Sequence, residues 1–125
     1  MTAGMVAALA LGAFAVPASA AADTPDGAHW YIGSGNAYGE VRWNDHHEGK
    51  DYDQLFLNDD LFPPGYSVKM TVVHDSFEKT VHAKNGATVI VKIPGFANGE
   101  TAKFKACAWD NGEEVTCRPW TTITE

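Results

Sequence analysis

Apolar and polar residues alternate along most of the chain after residue 27. In Tyr66-Ser67-Val68-Lys69-Met70-Thr71-Val72 every apolar side chain falls on one face. Ala87, Val89, Val91 and Ile93 do the same against Thr88 and Lys92, with Ile90 the exception, and Ala102, Phe104, Ala106 and Ala108 alternate with Lys103, Lys105, Cys107 and Trp109. A period of two places one face in a core and the other in water, as in antiparallel sheets. Such runs recur about every ten residues between Gly, Pro, Asn and Asp, and no stretch carries a 3.6-residue period. The pattern predicts strands at about 28–33, 37–44, 52–58, 66–74, 77–83, 87–93, 101–109 and 113–122. Phe62-Pro63-Pro64-Gly65 and Ile93-Pro94-Gly95 end strands, because proline cannot donate to a ladder. The expected fold is all-β: an antiparallel, immunoglobulin-like (Greek-key) β-sandwich of about eight strands, with a small closed barrel as the alternative.

The first residues follow another rule. Met1 to Ala22 contains no charged side chain, and Val6 to Val16 is an apolar run of about 11 residues, the length of a secretory h-region and too short to span a bilayer. Pro17 breaks it, and Ala18-Ser19-Ala20 supplies small residues for a peptidase pocket, with Ala20-Ala21-Ala22 as a second register. Residues 1–22 are therefore expected to be a cleaved signal peptide and 23–125 a single secreted, extracellular domain. Asp23-Thr24-Pro25-Asp26-Gly27 has the composition of a flexible arm.

Charge and cysteine usage narrow the partners. Nine basic and sixteen acidic residues give a net charge of −7, all of it beyond residue 22. Nucleic acid and anionic membrane both require clustered Lys and Arg, so neither is expected as a partner, and no second hydrophobic segment offers a membrane anchor. Cys107 and Cys117 flank Trp109-Asp110-Asn111-Gly112, and Asn-Gly is a strong hairpin-turn signal. The two cysteines are expected to face each other on paired strands as a disulfide.

Candidate chemistry concentrates between residues 44 and 60. Asn44-Asp45-His46-His47-Glu48-Gly49-Lys50-Asp51-Tyr52-Asp53, followed by Asn58-Asp59-Asp60, has the composition of an acidic loop. Asp51 and Asp53 offer hard oxygen ligands at alternate positions, but no Gly at the sixth position or Glu at the twelfth completes an EF-hand. A transition-metal site of Asp45, His46 and His47 needs a loop conformation, since neighbouring residues of a strand point to opposite faces. The acids are read instead as solvated turn residues, with no metal and no cofactor expected, and with chelation leaving stability unchanged. The chain is rich in aromatic residues, which suit sugar faces and protein hot spots but equally fill a small sandwich core. No nucleophile elbow surrounds Ser34, Ser67 or Ser76, and no spacing singles out a carboxylate pair. The expectation is a non-catalytic binding module for an extracellular protein or glycan, using Trp43, Asp45, His46, His47, Asp51, Tyr52 and Asp53. The alternatives are a small hydrolase using acids of the 45–60 region, or an envelope-associated structural protein.

Gly39-Glu40-Val41-Arg42-Trp43, Asn58-Asp59-Asp60 and Cys107-Ala108-Trp109-Asp110 through Cys117 together resemble a pattern of small secreted proteins of filamentous actinobacteria. The resemblance implies an extracellular location and a β-sandwich fold; it implies no activity. Those proteins often carry a further disulfide, for which this chain lacks the cysteines. Val41-Arg42-Trp43 falls on an expected strand, which separates the chain from secreted α-amylase inhibitors that display Trp-Arg-Tyr in a turn.

The export reading is checked by mass analysis of the secreted protein. A mature N-terminus at Ala21 or Asp23 is expected, and an intact Met1 contradicts it.

Overall fold

A computed structural model describes residues 22–33, 39–47, 49–59 and 65–125, with His47 described for its backbone alone. The expected signal segment lies outside them except for Ala22. All the described elements are strands: β1 (His29–Ile32), β2 (Gly39–His47), β3 (Lys50–Asn58), β4 (Tyr66–His74), β5 (Phe77–Lys84), β6 (Thr88–Lys92), β7 (Thr101–Asp110) and β8 (Glu113–Thr124). They form two four-stranded antiparallel sheets, ordered β1-β2-β3-β6 and β5-β4-β7-β8. Among the described residues no helix is long and apolar enough to cross a membrane.

The connections tie the sheets together. Consecutive strands β3 and β4 lie in different sheets, as do β6 and β7, while β3 pairs with β6 and β4 with β7. Apolar positions of matching parity fill the space between: Val41, Trp43, Leu55 and Leu57 from the first sheet, Val68, Met70, Val72, Phe104 and Ile123 from the second, all fully buried. Trp30 packs on Phe104 at 5.1 Å between ring centroids. Phe96, from the segment joining β6 to β7, closes one end against Trp43 (5.7 Å) and His74 (4.9 Å). Trp43 is thus a core residue, 0% exposed, with its ring against Phe96.

The β7–β8 hairpin shows how local chemistry sets register. Asn111 and Gly112 both take positive φ (50° and 82°) between Asp110 and Glu113, the two-residue turn that the Asn-Gly pair favours. A bulge then leaves Val115 without a partner, since Trp109 faces Glu114 and Ala108 faces Thr116. That extra residue brings Cys107 opposite Cys117, and the two are disulfide-bonded. On the same outer face the Lys69 ammonium lies 4.4 Å from the Trp109 ring centroid.

Two expectations are corrected. Residues 24–27 are tied down: Thr24 donates to the Thr124 carbonyl and accepts from the Thr124 amide through its hydroxyl, and Gly27 donates to the Trp43 carbonyl. The acidic stretch is no open loop either. β2 runs to His47 and β3 starts at Lys50, so Asp45, His46, Asp51 and Asp53 are strand residues flanking a tight connection.

Phe104, fully buried at the centre of β7, sets the scale of the core. Phe104→Ala is expected to cost about 3–5 kcal/mol of unfolding free energy, read from denaturant titration.

Candidate functional site

Core-facing parity continues past the last apolar residue at one end of the sandwich, where the inward positions become acidic. Asp45 follows Val41 and Trp43 on β2, Asp53 precedes Leu55 and Leu57 on β3, and Glu125 follows Ile123 at the end of β8. A bulge assists, because Asn44 pairs with Gln54 and His46 with Asp51, leaving Asp45 opposite both Tyr52 and Asp53. Asp53 takes the left-handed conformation there (φ 47°), a conformation Asp tolerates better than most residues. One carboxylate oxygen each from Asp45, Asp51, Asp53 and Glu125 lies within 4.8 Å of the others.

Backbone bonds hold this end rigidly. Ile93 donates to the Asp53 carbonyl, Glu125 donates to the Glu100 carbonyl and Gly99 donates to the Glu125 carbonyl. The amides of Asp45 and His46 both donate to Asp26 Oδ1, at 2.8 and 3.3 Å. His46 Nδ1 lies 3.0 Å from Asp45 Oδ2. Asp45 Oδ1, Asp53 Oδ1 and Glu125 Oε1 are nevertheless buried with no hydrogen-bond partner. Among the described residues no Lys or Arg pairs with any of the four acids.

The electrostatics follow. Burial, reinforced by contact with the Asp53 carboxyl and by the neighbouring acids, lifts Glu125 from 4.5 to about 8. Burial also lifts Asp53 from 3.8 to about 6; its contact with Asp51 adds to the rise and its contact with Glu125 opposes it. Such a set of oxygens can share protons or coordinate a hard cation.

A second feature lies on the outer face of the first sheet. Arg42, Asn44, Tyr52, Gln54 and Phe56, with Asp26, Gly27 and the otherwise buried Trp43, line an open groove of about 510 Å³ that includes none of the four clustered acids. The Arg42 guanidinium sits 5.6 Å from the Phe56 ring centroid. Asn44 Nδ2 donates to Gln54 Oε1 (3.4 Å), which leaves Asn44 Oδ1 and Gln54 Nε2 for a partner. Ile90, 50% exposed, continues the Arg42–Phe56 row across to β6.

The site residues read from the sequence therefore divide. Asp45, Asp51 and Asp53 converge at the sandwich end, with His46 on their rim; Tyr52 lines the groove; Trp43 is in the core; the His47 side chain lies outside the described residues. Asp59 is at the far end of β3, where its carboxylate accepts from the Gly86 amide, and Asp60 lies outside the described residues. Sequence reasoning missed Glu125 and the Arg42, Asn44, Gln54 and Phe56 surface. The parity of Ile123 and Glu125 was the available signal for the first, and the outward parity of residues 42, 44, 54 and 56 for the second. The molecule is thus two packed antiparallel sheets with an acidic cluster at one end and a groove on one face. No known protein family, curated protein or solved structure matches the chain.

The raised carboxyls fix a sign. Folded-state values above the unfolded ones give stability that is complete below pH 4 and lost as pH rises through about 6 and then about 8. In chelator-containing buffer the thermal midpoint is expected to fall by several degrees from pH 5 to 9, and Glu125→Gln to flatten the upper part of that fall. A midpoint that rises over this range contradicts the assignment.

Proposed function

We propose that the chain is a secreted, non-catalytic glycan-binding module, with residues 1–22 as its signal peptide and an immunoglobulin-like Greek-key connectivity. The observation that carries the binding reading is the groove on the outer face of the first sheet. Its planar polar side chains, Arg42, Asn44 and Gln54, present donors and acceptors at the spacing of neighbouring strands, while Tyr52 and Phe56 supply apolar surface. Sugars offer the complement, with hydroxyls around the ring edge and C–H groups on its faces. The floor is rigid sheet, so little ordering entropy opposes binding. The connectivity reading is supported by the interlocked β3–β6 and β4–β7 pairs, with β1 as an extra strand beside β2. Export is supported by the uncharged leader and agrees with the Cys107–Cys117 disulfide.

Calorimetric titration and insoluble-polysaccharide pull-down of the secreted protein test the reading. Retention by at least one neutral polysaccharide is expected. Gln54→Ala is expected to weaken it about three- to tenfold, the loss of one net hydrogen bond, with the thermal midpoint nearly unchanged. Tyr52→Ala is expected to act in the same direction. Retention that ignores both substitutions, or capture of a protein alone, overturns the proposal.

A further inference from the structure

We propose that Asp45, Asp51, Asp53 and Glu125 form a calcium site that pins the β2–β3 hairpin to the end of β8. The site is separate from the groove and does not depend on what occupies it. The sequence spacing alone argues against a cation here, because three acids on one hairpin are common in solvent-exposed turns. Glu125 changes that balance.

Glu125 belongs to the other sheet's end, is only 6% exposed, and has an oxygen, Oε1, without a hydrogen-bond partner. A carboxylate so buried ordinarily has its oxygens satisfied, because each orphaned acceptor carries its full desolvation cost. Two further members of the same cluster carry an orphaned oxygen as well, Asp45 Oδ1 and Asp53 Oδ1. The four side chains cluster with no lysine or arginine paired to them among the described residues. A cation between them would satisfy the oxygens and the charge together.

The donor set selects the ion. Calcium takes six to eight oxygens at about 2.3–2.6 Å, so ligands on opposite sides of the ion lie about 4.8 Å apart. The observed oxygens fit within that span, and four carboxylates, some binding through both oxygens, supply most of such a shell. Magnesium demands a smaller, near-octahedral cage and holds its water. Zinc prefers nitrogen and sulfur; its candidate ligands here are Asp45, His46 and Asp51, which exclude the buried Glu125. The backbone bonds from Ile93 to Asp53 and between residue 125 and Gly99–Glu100 already hold the two halves of the site together.

The test is a calorimetric calcium titration of the chelator-stripped secreted protein at pH 7.5, with thermal melts in calcium, magnesium, zinc or EDTA. One calcium per chain is expected, with a midpoint several degrees higher at saturating calcium and little response to magnesium. Glu125→Gln and Asp53→Asn should each weaken calcium at least tenfold, while Asp110→Asn, outside the cluster, should leave it unchanged. Folding of each variant is read from its EDTA melt, so lost binding is distinguishable from lost structure. No calcium heat and no midpoint shift at 10 mM calcium overturns the proposal. So does a calcium response that survives in the Glu125→Gln/Asp53→Asn double variant, or a response to zinc alone that disappears with His46→Ala.

Discussion

The whole molecule depends on one constraint: an extended chain turns alternate side chains to opposite faces, and two sheets stacked together can bury only one face each. Once Trp43, Leu55, Met70 and Phe104 are committed to the shared core, every neighbour two residues away is committed with them. The same rule places Arg42, Asn44, Gln54 and Phe56 on the outside of β2 and β3, where they line the groove. It also carries Asp45, Asp53 and Glu125 toward the inside, at positions where the apolar supply has ended. Core, groove and acidic cluster are therefore three consequences of a single parity.

At the cluster this arrangement works against itself. Like charges about 5 Å apart repel by roughly 3 kcal/mol at an effective dielectric of about 20, and burial adds to the cost of ionisation. The fold accepts this without a lysine or arginine counter-ion among the described residues. Asp53 and Glu125 respond by holding protons to unusually high pH. A core end closed by leucine would be more stable. Acids retained at inward positions concentrate negative charge at the junction of the β2–β3 hairpin, the β6–β7 segment and the end of β8.

The strands were legible because alternation and turn residues agree along most of the chain. Val68, Met70 and Val72 are buried as their parity requires, and Asn111-Gly112 turns where its chemistry favours it. The hairpin at 45–53 was misread because Asp and Asn signal turns by composition, whereas here they continue a ladder. Composition also merged two acidic groups that β3 separates: Asp59 is at the opposite end of that strand from Asp51 and Asp53, some 20 Å away at the usual rise per residue. The bulges were not legible. Neither the extra residue at Val115, which aligns the cysteines, nor the one opposite Asp45 leaves a mark on periodicity that single substitutions would not also leave. Glu125 shares the inward parity of Ile123, but its partners lie in the other sheet and no local pattern encodes a contact across the sandwich.

The bulge on β3 joins the two sites. Asn44, Tyr52 and Gln54 border the groove, while Asp45, Asp51 and Asp53 form one side of the cluster, so the two sets interleave residue by residue. In sequence Tyr52 stands between two clustered acids, next to the left-handed Asp53. The rest of the groove floor is built on the regular pairing of Arg42 with Phe56 and of Asn44 with Gln54. The acidic cluster and one aromatic wall of the groove are thus built on the same few residues of one hairpin.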